Sequence, residues 1–275
     1  MPPAVTIREL LERFDGILLD AYGVLVDASG MLPAAGALLD ELARRGTPYL
    51  VVTNDASRLP ATVARRFGGR VPPERIVTSG SLLPGYFRSR GLAGARTLVL
   101  GTEDSCAYVR EGGGVPVPLA AGMEIDVLAV CDDDGTPFVE GIERALSAVV
   151  RGVERGAPPV LVAPNPDLVY PKGDGELGFT AGAMALVIEA ALERRFHGRA
   201  PRFDRLGKPE PHLFAEAARR LALAPDRLVM IGDQLETDIA GARAAGIAAA
   251  LLEGVSRWDP SATVAPTFLL ATIAP

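Results

Sequence analysis

Two acidic residues, a lysine and a threonine stand where apolar segments of the sequence end or a helical segment begins. Asp20 follows Gly-Ile-Leu-Leu, Thr53 follows Pro-Tyr-Leu-Val-Val, and Asp233 follows Leu-Val-Met-Ile-Gly. Lys208 lies in Gly-Lys-Pro-Glu-Pro, just before a stretch with helical periodicity. Each residue alone is typical of an ordinary turn or cap. Together they indicate a magnesium–phosphate site, because Mg²⁺ prefers carboxylate oxygens and lysine and threonine donate hydrogen bonds to phosphate.

The surrounding sequence predicts the elements that position these residues. Apolar runs of strand length at Gly16–Asp20, Pro48–Thr53 and Arg227–Ile231 alternate with helical segments such as Leu235–Ala245. Continuous apolar strands between helices are typical of a parallel sheet covered on both faces. We therefore predict an α/β fold with a doubly wound parallel sheet. Ligands of such sheets bind at the carboxyl ends of the strands, where the polar residues described above lie.

A second succession of strands and helices occupies the middle of the chain. Between about residues 95 and 198, apolar runs alternate with helical stretches that include Phe138–Arg151 and Ala181–Phe196. This is enough sequence for a separate domain. The sequence therefore predicts a discontinuous core domain, 1–93 and 199–275, with an inserted α/β domain, 94–198.

Composition excludes several classes of protein. The 275 residues carry a net charge of −6, which argues against a nucleic-acid or anionic-membrane partner. No apolar run approaches the roughly 18 residues of a membrane span. The two cysteines, Cys106 and Cys131, form neither a disulfide framework nor a zinc pattern. This cysteine usage is typical of a reducing compartment, so we expect a cytoplasmic protein.

Taken in order, these motifs resemble those of the haloacid dehalogenase (HAD) superfamily. The residues that carry the resemblance are Asp20 in Asp-Ala-Tyr-Gly, Thr53-Asn54, Gly-Lys208-Pro, and Gly-Asp233-Gln-Leu-Glu-Thr-Asp238-Ile. In the middle segment, Asn165-Pro-Asp167-Leu-Val-Tyr170-Pro is similar to the Asn-Pro-Asp segment in the cap domain of class IIA members. That class includes NagD-type sugar phosphatases, p-nitrophenyl phosphatases, pyridoxal phosphatase and phosphoglycolate phosphatase. The resemblance covers almost the whole chain. It implies a Mg²⁺-dependent phosphatase of small phosphorylated metabolites.

The resemblance also implies how the phosphoryl group would be transferred. Asp20 is expected to be the nucleophile, forming an aspartyl-phosphate that water then hydrolyses. Thr53 and Lys208 are expected to hold the phosphoryl oxygens during transfer. Tyr22 occupies the position of the family's acid–base residue.

Metal-binding and substrate-binding residues are likewise implied by the resemblance. Mg²⁺ is expected at Asp20, the main-chain carbonyl of Tyr22, Asp233 and Asp238, where Asp238 orients either Lys208 or a metal-bound water. The candidates for substrate binding lie after Thr53 and in the cap, and are Asn54, Asp55, Asn165, Asp167 and Tyr170.

Tyr22 departs from the family pattern. The usual first motif is Asp-x-Asp-Gly, in which the second Asp protonates the leaving oxygen and later activates water. Loss of a positioned acid–base typically costs about 10²–10⁴-fold in rate. A phenol, with a pKa of about 10, can donate a proton but is a poor base at neutral pH. We therefore expect a phosphatase of reduced activity.

Two other functions are compatible with the same motifs. A catalytically impaired homologue would keep Asp20, Lys208 and Asp233 to bind a phosphorylated ligand. The 2-haloacid dehalogenases carry Asp-Ala-Tyr-Gly themselves and displace halide without a metal, although they lack the Gly-Asp…Thr-Asp motif and have a smaller cap. The resemblance is also compatible with a homodimer. The sequence does not identify the physiological substrate.

Asp55 is a second departure, because class IIA members usually have Asn at this position. A carboxylate beside a bound phosphate is unfavourable unless it is protonated or paired. One hypothesis is that Asp55 supplies the carboxylate that is absent at position 22. The alternative is that Asp55 caps the helix predicted to start near Leu59.

Overall fold

The computed structural model of the chain describes residues 1–173, 175–254 and 256–275. Its strands, in chain order, are β1 (Ala4–Val5), β2 (Gly16–Leu19), β3 (Val26–Asp27), β4 (Gly30–Met31), β5 (Tyr49–Thr53), β6 (Ile76–Thr78), β7 (Arg96–Leu100), β8 (Val115–Val117), β9 (Val127–Val130), β10 (Val160–Ala163), β11 (Val169–Gly173), β12 (Glu176–Phe179), β13 (Phe203–Arg205), β14 (Leu228–Gly232), β15 (Ala248–Leu252) and β16 (Phe268–Leu270).

The α-helices are α1 (Ile7–Arg13), α2 (Pro33–Arg45), α3 (Pro60–Ala64), α4 (Leu83–Ser89), α5 (Glu103–Glu111), α6 (Phe138–Glu154), α7 (Ala181–Phe196), α8 (Pro211–Leu221) and α9 (Ala240–Ala244). Short 3₁₀ turns occupy Arg65–Phe67, Pro73–Arg75, Gly80–Leu82 and Pro225–Arg227, and a π-helical turn occupies Leu235–Ile239. Among the described residues, none of the helices combines the length and the apolar composition needed to cross a bilayer.

The chain forms two compact units. The first unit comprises Met1–Thr53, Pro60–Val77 and Lys208–Pro275, and the second comprises Asn54–Leu59 and Thr78–Gly207. The second unit therefore contains the whole of the predicted inserted domain, 94–198, together with flanking residues on both sides. α4 belongs to it because its apolar side chains pack in one buried cluster with those of β7, α5 and β9. β13 belongs to it because it pairs in parallel with β10.

The first unit is built around a parallel sheet that places the predicted residues at one edge. In the described part of this unit, seven strands lie in the order β1-β16-β15-β14-β2-β5-β6, and the pairs from β1 to β5 are parallel. Leu19 pairs with both Ile231 and Val51, so the carboxyl ends of β14, β2 and β5 lie side by side. The strand order reverses between β14 and β2, which is where open α/β sheets bind ligands. The predicted α/β fold is confirmed.

Burial explains why the central strands are apolar along their length. Every residue of β2 and β14 is buried, and so are the first four residues of β5. Side chains on both faces of a parallel sheet pack against covering elements, so alternation with polar residues is absent. The polar residues appear only where each strand ends, and this places them at the edge of the core.

The second unit has a parallel sheet of its own and a separate hairpin. Its described strands form the order β13-β10-β9-β7-β8, with α6 and α7 in contact and packed in the same buried cluster as β9 and β10. β11 and β12 form an antiparallel hairpin in which Val169 pairs with Phe179 and Tyr170 with Gly178. Phe179 also stacks on Phe138 at the start of α6, with ring centroids 6.1 Å apart. The hairpin is thereby attached to the helical layer of this unit.

Candidate active site

Lys208 and two carboxylates form a buried cluster at the carboxyl edge of the first unit's sheet. The Lys208 ammonium donates hydrogen bonds to Asp20 Oδ1 and Asp238 Oδ1, each at 2.6 Å, and to the Val52 carbonyl at 3.1 Å. The side chains of Lys208, Asp20 and Asp238 are 4%, 8% and 1% exposed. Because desolvation of the charges offsets their attraction, a buried cluster of this kind contributes little net stability. Its clearest consequence is a fixed orientation for the Asp20 carboxylate and the Lys208 ammonium.

Burial and ion pairing act in opposite directions on the charges of this cluster. Burial raises the pKa of Asp20 well above its usual range, the Lys208 ammonium lowers it, and the carboxylates of Asp238 and Asp233 raise it. Burial lowers the pKa of Lys208, but Asp20 and Asp238 together outweigh burial and raise that pKa above its usual value. Lys208 is therefore cationic at neutral pH. Its three N–H groups are given to Asp20, Asp238 and the Val52 carbonyl, so it donates to an anion by exchanging one of these bonds.

Asp238 is held by both of its carboxylate oxygens. Oδ1 accepts the hydrogen bond from Lys208, and Oδ2 accepts from the backbone N–H groups of Asp233 and Gln234, each at 3.2 Å. This arrangement ties Lys208 to the loop that carries Asp233. The resemblance implies that Asp238 orients Lys208, and this contact is the one that such a role requires; the role itself stays a prediction.

The segment that carries Asp238 differs from its prediction. The sequence predicts a continuous helix over Leu235–Ala245, whereas the chain forms a π-helical turn over Leu235–Ile239 and then α9. The Ile239 N–H donates to the Gln234 carbonyl, five residues earlier, at 3.2 Å. Such π-turns widen a helix locally and occur often at functional sites. Here the wide turn occurs where the Asp238 carboxylate accepts hydrogen bonds from the backbone N–H groups of Asp233 and Gln234, at the start of the same segment.

The acidic residues of the cluster are suited to a divalent metal. Ligand oxygens of Asp20, Asp233 and Asp238 all lie within 4.8 Å of one another, and all three residues are buried. Hard carboxylate oxygens at this spacing are donors that Mg²⁺ accepts. The Asp233 carboxylate lies close to the backbone of Gly23, where only a glycine fits, because a Cβ atom on Gly23 would lie 2.1 Å from Asp233 Oδ2. The donor set and the close approach at Gly23 fit a metal site.

Tyr22 and Thr53 also belong to the first unit. Tyr22 comes two residues after Asp20, and Thr53 comes one residue after Val52. Tyr22 is partly buried, forms a bridge with Val26, and packs its ring against the apolar core of the first unit. Thr53 is the last residue of β5 and directly follows Val52, whose carbonyl accepts the hydrogen bond from Lys208.

The substrate-binding candidates belong to the second unit, and three of them are linked to one another. The Asn54 side-chain amide donates to Asp167 Oδ1 at 2.8 Å, and the Asp167 N–H donates to Asn165 Oδ1 at 3.0 Å. Tyr170 lies on the β11–β12 hairpin, 38% exposed, with the Lys172 ammonium 5.9 Å from its ring centroid. The structure thus joins Asn54, Asn165 and Asp167 in one network.

Asp55 is held in the turn that precedes α3. Its Oδ1 accepts hydrogen bonds from the backbone N–H groups of Ser57 and Arg58 at 2.8 and 3.0 Å, just before α3 begins. Its Oδ2 pairs with the Arg58 guanidinium at 3.1 Å. Both N–H groups belong to residues before α3, so Asp55 closes a turn ahead of the helix, and the Leu59 N–H donates to Asp104 Oδ2 at 2.9 Å instead. The capping alternative is therefore met only as a turn that precedes α3. A catalytic role for Asp55 stays a hypothesis.

Sequence reasoning missed groups that belong to the backbone. The Val52 carbonyl accepts from Lys208, and the Ser256 N–H donates to the Asp233 carbonyl at 3.2 Å. Gly207 lies so close to its surroundings that a Cβ atom there would be 2.5 Å from Asn54 Oδ1. Nearly every residue carries the same backbone N–H and C=O groups, so the residue type does not show which of them take part in a site. The Gly-Lys208 pair was the one available signal, because a glycine often marks a close approach.

Asp132, two residues after the end of β9 in the second unit, is expected to make stability depend on pH. Burial raises the pKa of Asp132 from 3.8 to about 6, the Asp134 N–H lowers it, and the Asp133 and Asp55 carboxylates raise it. The folded state therefore binds this proton more tightly than the unfolded chain does. The contribution of this proton to the free energy of unfolding is complete below about pH 4, and it is lost as the pH rises through about 6.

Asp132→Asn should raise the free energy of unfolding at pH 8 by about 1–3 kcal/mol and leave it unchanged at pH 4. The amide oxygen still accepts from the Asp134 N–H, so the turn is kept. Urea unfolding at the two pH values measures the difference, with the exposed Asp134→Asn as control. An equal gain in the control would assign the effect to net charge instead of the burial of Asp132.

Comparisons with known proteins agree over almost the whole chain. A family model described as haloacid dehalogenase-like hydrolase matches residues 17–114, and one described as HAD-hydrolase-like matches residues 205–274. The chain is 31% identical over 269 residues to chronophin of Homo sapiens, covering 92% of this chain and 86% of chronophin. It is 26% identical over 232 residues to the acid sugar phosphatase of Staphylococcus aureus (strain MRSA252), covering 83% and 82% of the two chains.

A solved structure resembles the chain along its full length. The crystal structure of a possible sugar phosphatase of the HAD superfamily from Cytophaga hutchinsonii ATCC 33406 superimposes with a TM-score of 0.85 at 27% identity. The match covers 100% of this chain and 99% of that one. The similarity therefore includes both units.

Proposed function

We propose that this chain, which belongs to the haloacid dehalogenase-like hydrolases of class IIA and is a phosphatase, hydrolyses small sugar-phosphate-like metabolites with Mg²⁺. The substrate class is proposed from the names of two relatives, an acid sugar phosphatase and a possible sugar phosphatase. The proposed route is an aspartyl-phosphate on Asp20, followed by hydrolysis. Homodimer formation and a cytoplasmic location stay predictions.

The observation that carries this proposal is the hydrogen bonding of one buried lysine to two buried carboxylates. Lys208 lies 2.6 Å from Asp20 and 2.6 Å from Asp238, so a cation stands beside the proposed nucleophile. Because Asp238 also binds the loop that carries Asp233, the cation, the nucleophile and a second carboxylate share one rigid frame. A phosphoryl group needs this combination of nucleophile and fixed positive charge.

Each residue has a separate task in the proposed reaction. An Asp20 carboxylate oxygen attacks phosphorus in line with the leaving oxygen, and the bond from phosphorus to the leaving oxygen breaks. The Lys208 ammonium and the Thr53 hydroxyl donate to the equatorial oxygens, where negative charge accumulates. Asp238 keeps Lys208 oriented, because Lys208 Nζ donates to it at 2.6 Å. The leaving oxygen takes a proton from solvent. Water then attacks phosphorus of the aspartyl-phosphate and gives its proton to solvent, and the bond between phosphorus and the Asp20 oxygen breaks, which releases inorganic phosphate and restores the Asp20 carboxylate.

The metal would be held by the carboxylates of Asp20 and Asp233 and by the Tyr22 carbonyl. When bound, Mg²⁺ supplies positive charge that lowers the repulsion between a carboxylate and a phosphate. Asp238 contributes by position, because protein donors already engage both of its oxygens. Replacement of the side chain at position 22 leaves a carbonyl ligand in place, so Tyr22 is compatible with the metal.

Gly23→Ala should weaken metal binding by about 10–100-fold, the usual effect of disturbing groups around a metal ligand. The added Cβ would meet Asp233 Oδ2 at 2.1 Å, and the backbone φ of +88° is one that alanine disfavours. The measurement is a Mg²⁺ titration of turnover and of heat. Gly30→Ala is the matched control, since Gly30 also has a positive φ, +121°, but nothing lies within 4 Å of its Cβ position. Equal effects of the two variants would show that backbone strain alone is responsible.

Tyr22→Asp tests the function and the effect of the missing acid–base together. In the wild type we expect Mg²⁺-dependent release of nitrophenolate from p-nitrophenyl phosphate, because this group leaves without a proton. For an alkyl ester such as glycerol 3-phosphate, Tyr22→Asp should raise kcat/KM by about 10²–10⁴-fold, since the new carboxyl group can protonate the leaving oxygen. The gain with p-nitrophenyl phosphate should be much smaller.

Tyr22→Phe is the control for this substitution, because it removes the hydroxyl and adds no acid. Its kcat/KM for the alkyl ester should not rise. A wild type that turns over neither ester with Mg²⁺, together with an active Tyr22→Asp, would favour the alternative of a homologue that only binds phosphorylated ligands. Chloride release from 2-chloropropionate by the wild type would favour the dehalogenase alternative.

A further inference from the structure

We propose that Asp167 is a positioning residue that fixes, through Asn54 and the adjoining Gly207, the two stretches of chain that carry Thr53 and Lys208. The inference rests on the proposed function, because that function assigns phosphate binding to Thr53 and Lys208. It replaces the expectation that Asp167 contacts the substrate.

The first contact is between the Asn-Pro-Asp segment and the residue after Thr53. Asn54 is buried, and its side-chain amide donates to Asp167 Oδ1 at 2.8 Å, across 113 residues of sequence. Asn54 is covalently joined to Thr53, the last residue of β5. The planar peptide bond keeps their Cα atoms about 3.8 Å apart, so a fixed Asn54 limits the positions that Thr53 can take at the end of its strand.

The second contact is between the same segment and the residue before Lys208. A Cβ atom at Gly207 would lie 2.5 Å from Asn54 Oδ1, 2.6 Å from the Pro164 carbonyl and 2.8 Å from Pro166 Cδ. Glycine is therefore required here, and the chain passes between Asn54 and the Asn-Pro-Asp segment with no space left. Gly207 is covalently joined to Lys208, so this close packing limits the position of the lysine backbone.

The Asn-Pro-Asp segment is itself fixed within the second unit. Asn165 Oδ1 accepts from the Asp167 N–H at 3.0 Å, and the Asn165 side-chain amide lies 3.2 Å from Thr180 Oγ1. The Gly182 N–H at the start of α7 donates to the Asp167 carbonyl at 2.9 Å. The backbone of Asp167 is therefore held at both its N–H and its carbonyl. Because its carboxylate accepts the hydrogen bond from Asn54, the fixed Asn-Pro-Asp segment also fixes the Asn54 side chain.

Binding of inorganic phosphate separates a positioning role from a substrate contact, because phosphate has no leaving group. If Asp167 acts through Thr53 and Lys208, Asp167→Ala should weaken phosphate binding by about tenfold. It should also lower kcat by one common factor of about 10–10² for p-nitrophenyl phosphate and glycerol 3-phosphate, a range typical of a slightly misplaced reacting group. Asp167→Asn keeps an oxygen acceptor for Asn54 and should recover most of both losses.

A double-mutant cycle with Asn54→Ala tests the route through Asn54. If the two residues act as a pair, the double variant should lose no more activity than the worse single variant. Asp126→Ala is the matched control, because Asp126 is a second-unit carboxylate that accepts a backbone N–H, that of Arg96, at 2.8 Å. It should leave phosphate binding unchanged. Thermal unfolding of each variant shows whether the fold is kept, and Asp167→Asn still tests the proposal if the alanine variant does not fold.

The proposal is overturned if Asp167→Ala leaves the phosphate affinity unchanged and slows only one of the two esters, since that pattern belongs to a substrate contact. Additive losses in the cycle would also overturn it. Failure of the proposed function has a different signature, which is a wild type that binds phosphate but hydrolyses neither ester. In that case the phosphate affinities of the variants, measured by calorimetry, still decide whether Asp167 positions the phosphate-binding residues.

Discussion

Asp20→Asn should reduce turnover of every phosphate ester by about 10⁴–10⁶-fold, the loss that follows removal of a nucleophile. The amide is nearly the same shape as the carboxylate, and its oxygen can still accept the 2.6 Å hydrogen bond from Lys208. Burial raises the pKa of the Asp20 carboxylate, so an uncharged side chain at this position carries no added cost of burial. The fold should therefore be kept while the chemistry is lost.

Steady-state turnover of p-nitrophenyl phosphate measures the loss, and acid quenching with mass spectrometry measures the aspartyl-phosphate. The wild type should show a phosphorylated peptide that contains Asp20, and the variant should show none. Asp226→Asn, an exposed carboxylate in the same unit, is the control and should keep full activity. Retention of a tenth or more of the turnover by Asp20→Asn would mean that the nucleophile is another group.

Lys208→Met should lower the free energy of unfolding by about 3–5 kcal/mol and abolish turnover. The methionine fills a similar volume, but Asp20 and Asp238 then remain buried without the cation to which both are bonded. Breaking a buried ion pair by removing one partner is strongly destabilising for this reason. Turnover is lost because no fixed cation remains beside the phosphoryl oxygens.

The deficit of Lys208→Met should shrink as the pH falls. Without Lys208, the influence that lowers the pKa of Asp20 is gone, while burial and the other carboxylates still raise that pKa. A carboxyl group with a raised pKa binds its proton more tightly in the folded state, so stability is lost as the pH rises and regained as it falls. Urea unfolding in EDTA between pH 5 and pH 8 is the measurement. Lys172→Met, at the chain's other lysine, is exposed and should change little at any pH. A deficit in Lys208→Met that is constant across this range would contradict the account.

Local sequence determined the elements of the sheet and the residues at its edge. Gly16–Leu19 and Leu228–Gly232 are strands because they are short apolar runs, and each is followed directly by the aspartate that the sequence singled out. A strand of a covered parallel sheet must be apolar throughout, so the first polar residue marks its end. Both signals are contained within a few neighbouring residues, which is why a single sequence suffices to identify them.

The bounds of the second unit and the course of the chain after Asp233 were less accessible to the sequence. α4 joins the second unit because of the side chains that it packs against, and a residue pattern does not name its partners. The helix predicted over Leu235–Ala245 begins instead with a π-helical turn. Helix propensity does not distinguish an α-helical turn from a π-helical turn. The π-helical turn occurs together with the hydrogen bonds that the Asp238 carboxylate accepts from the backbone at the start of this segment.

Tertiary structure alone decided how the site residues are joined. Lys208 bonds to Asp20 across 188 residues of sequence, and Asn54 bonds to Asp167 across 113. The sequence supplied the residue types for a phosphate site, and its resemblance to a family supplied their expected roles. It did not supply the pairings, because a contact between distant residues depends on the packing of every element between them. The sequence therefore determined which groups this protein carries at the edge of its sheet, and the folded chain determined which of them hold one another in place.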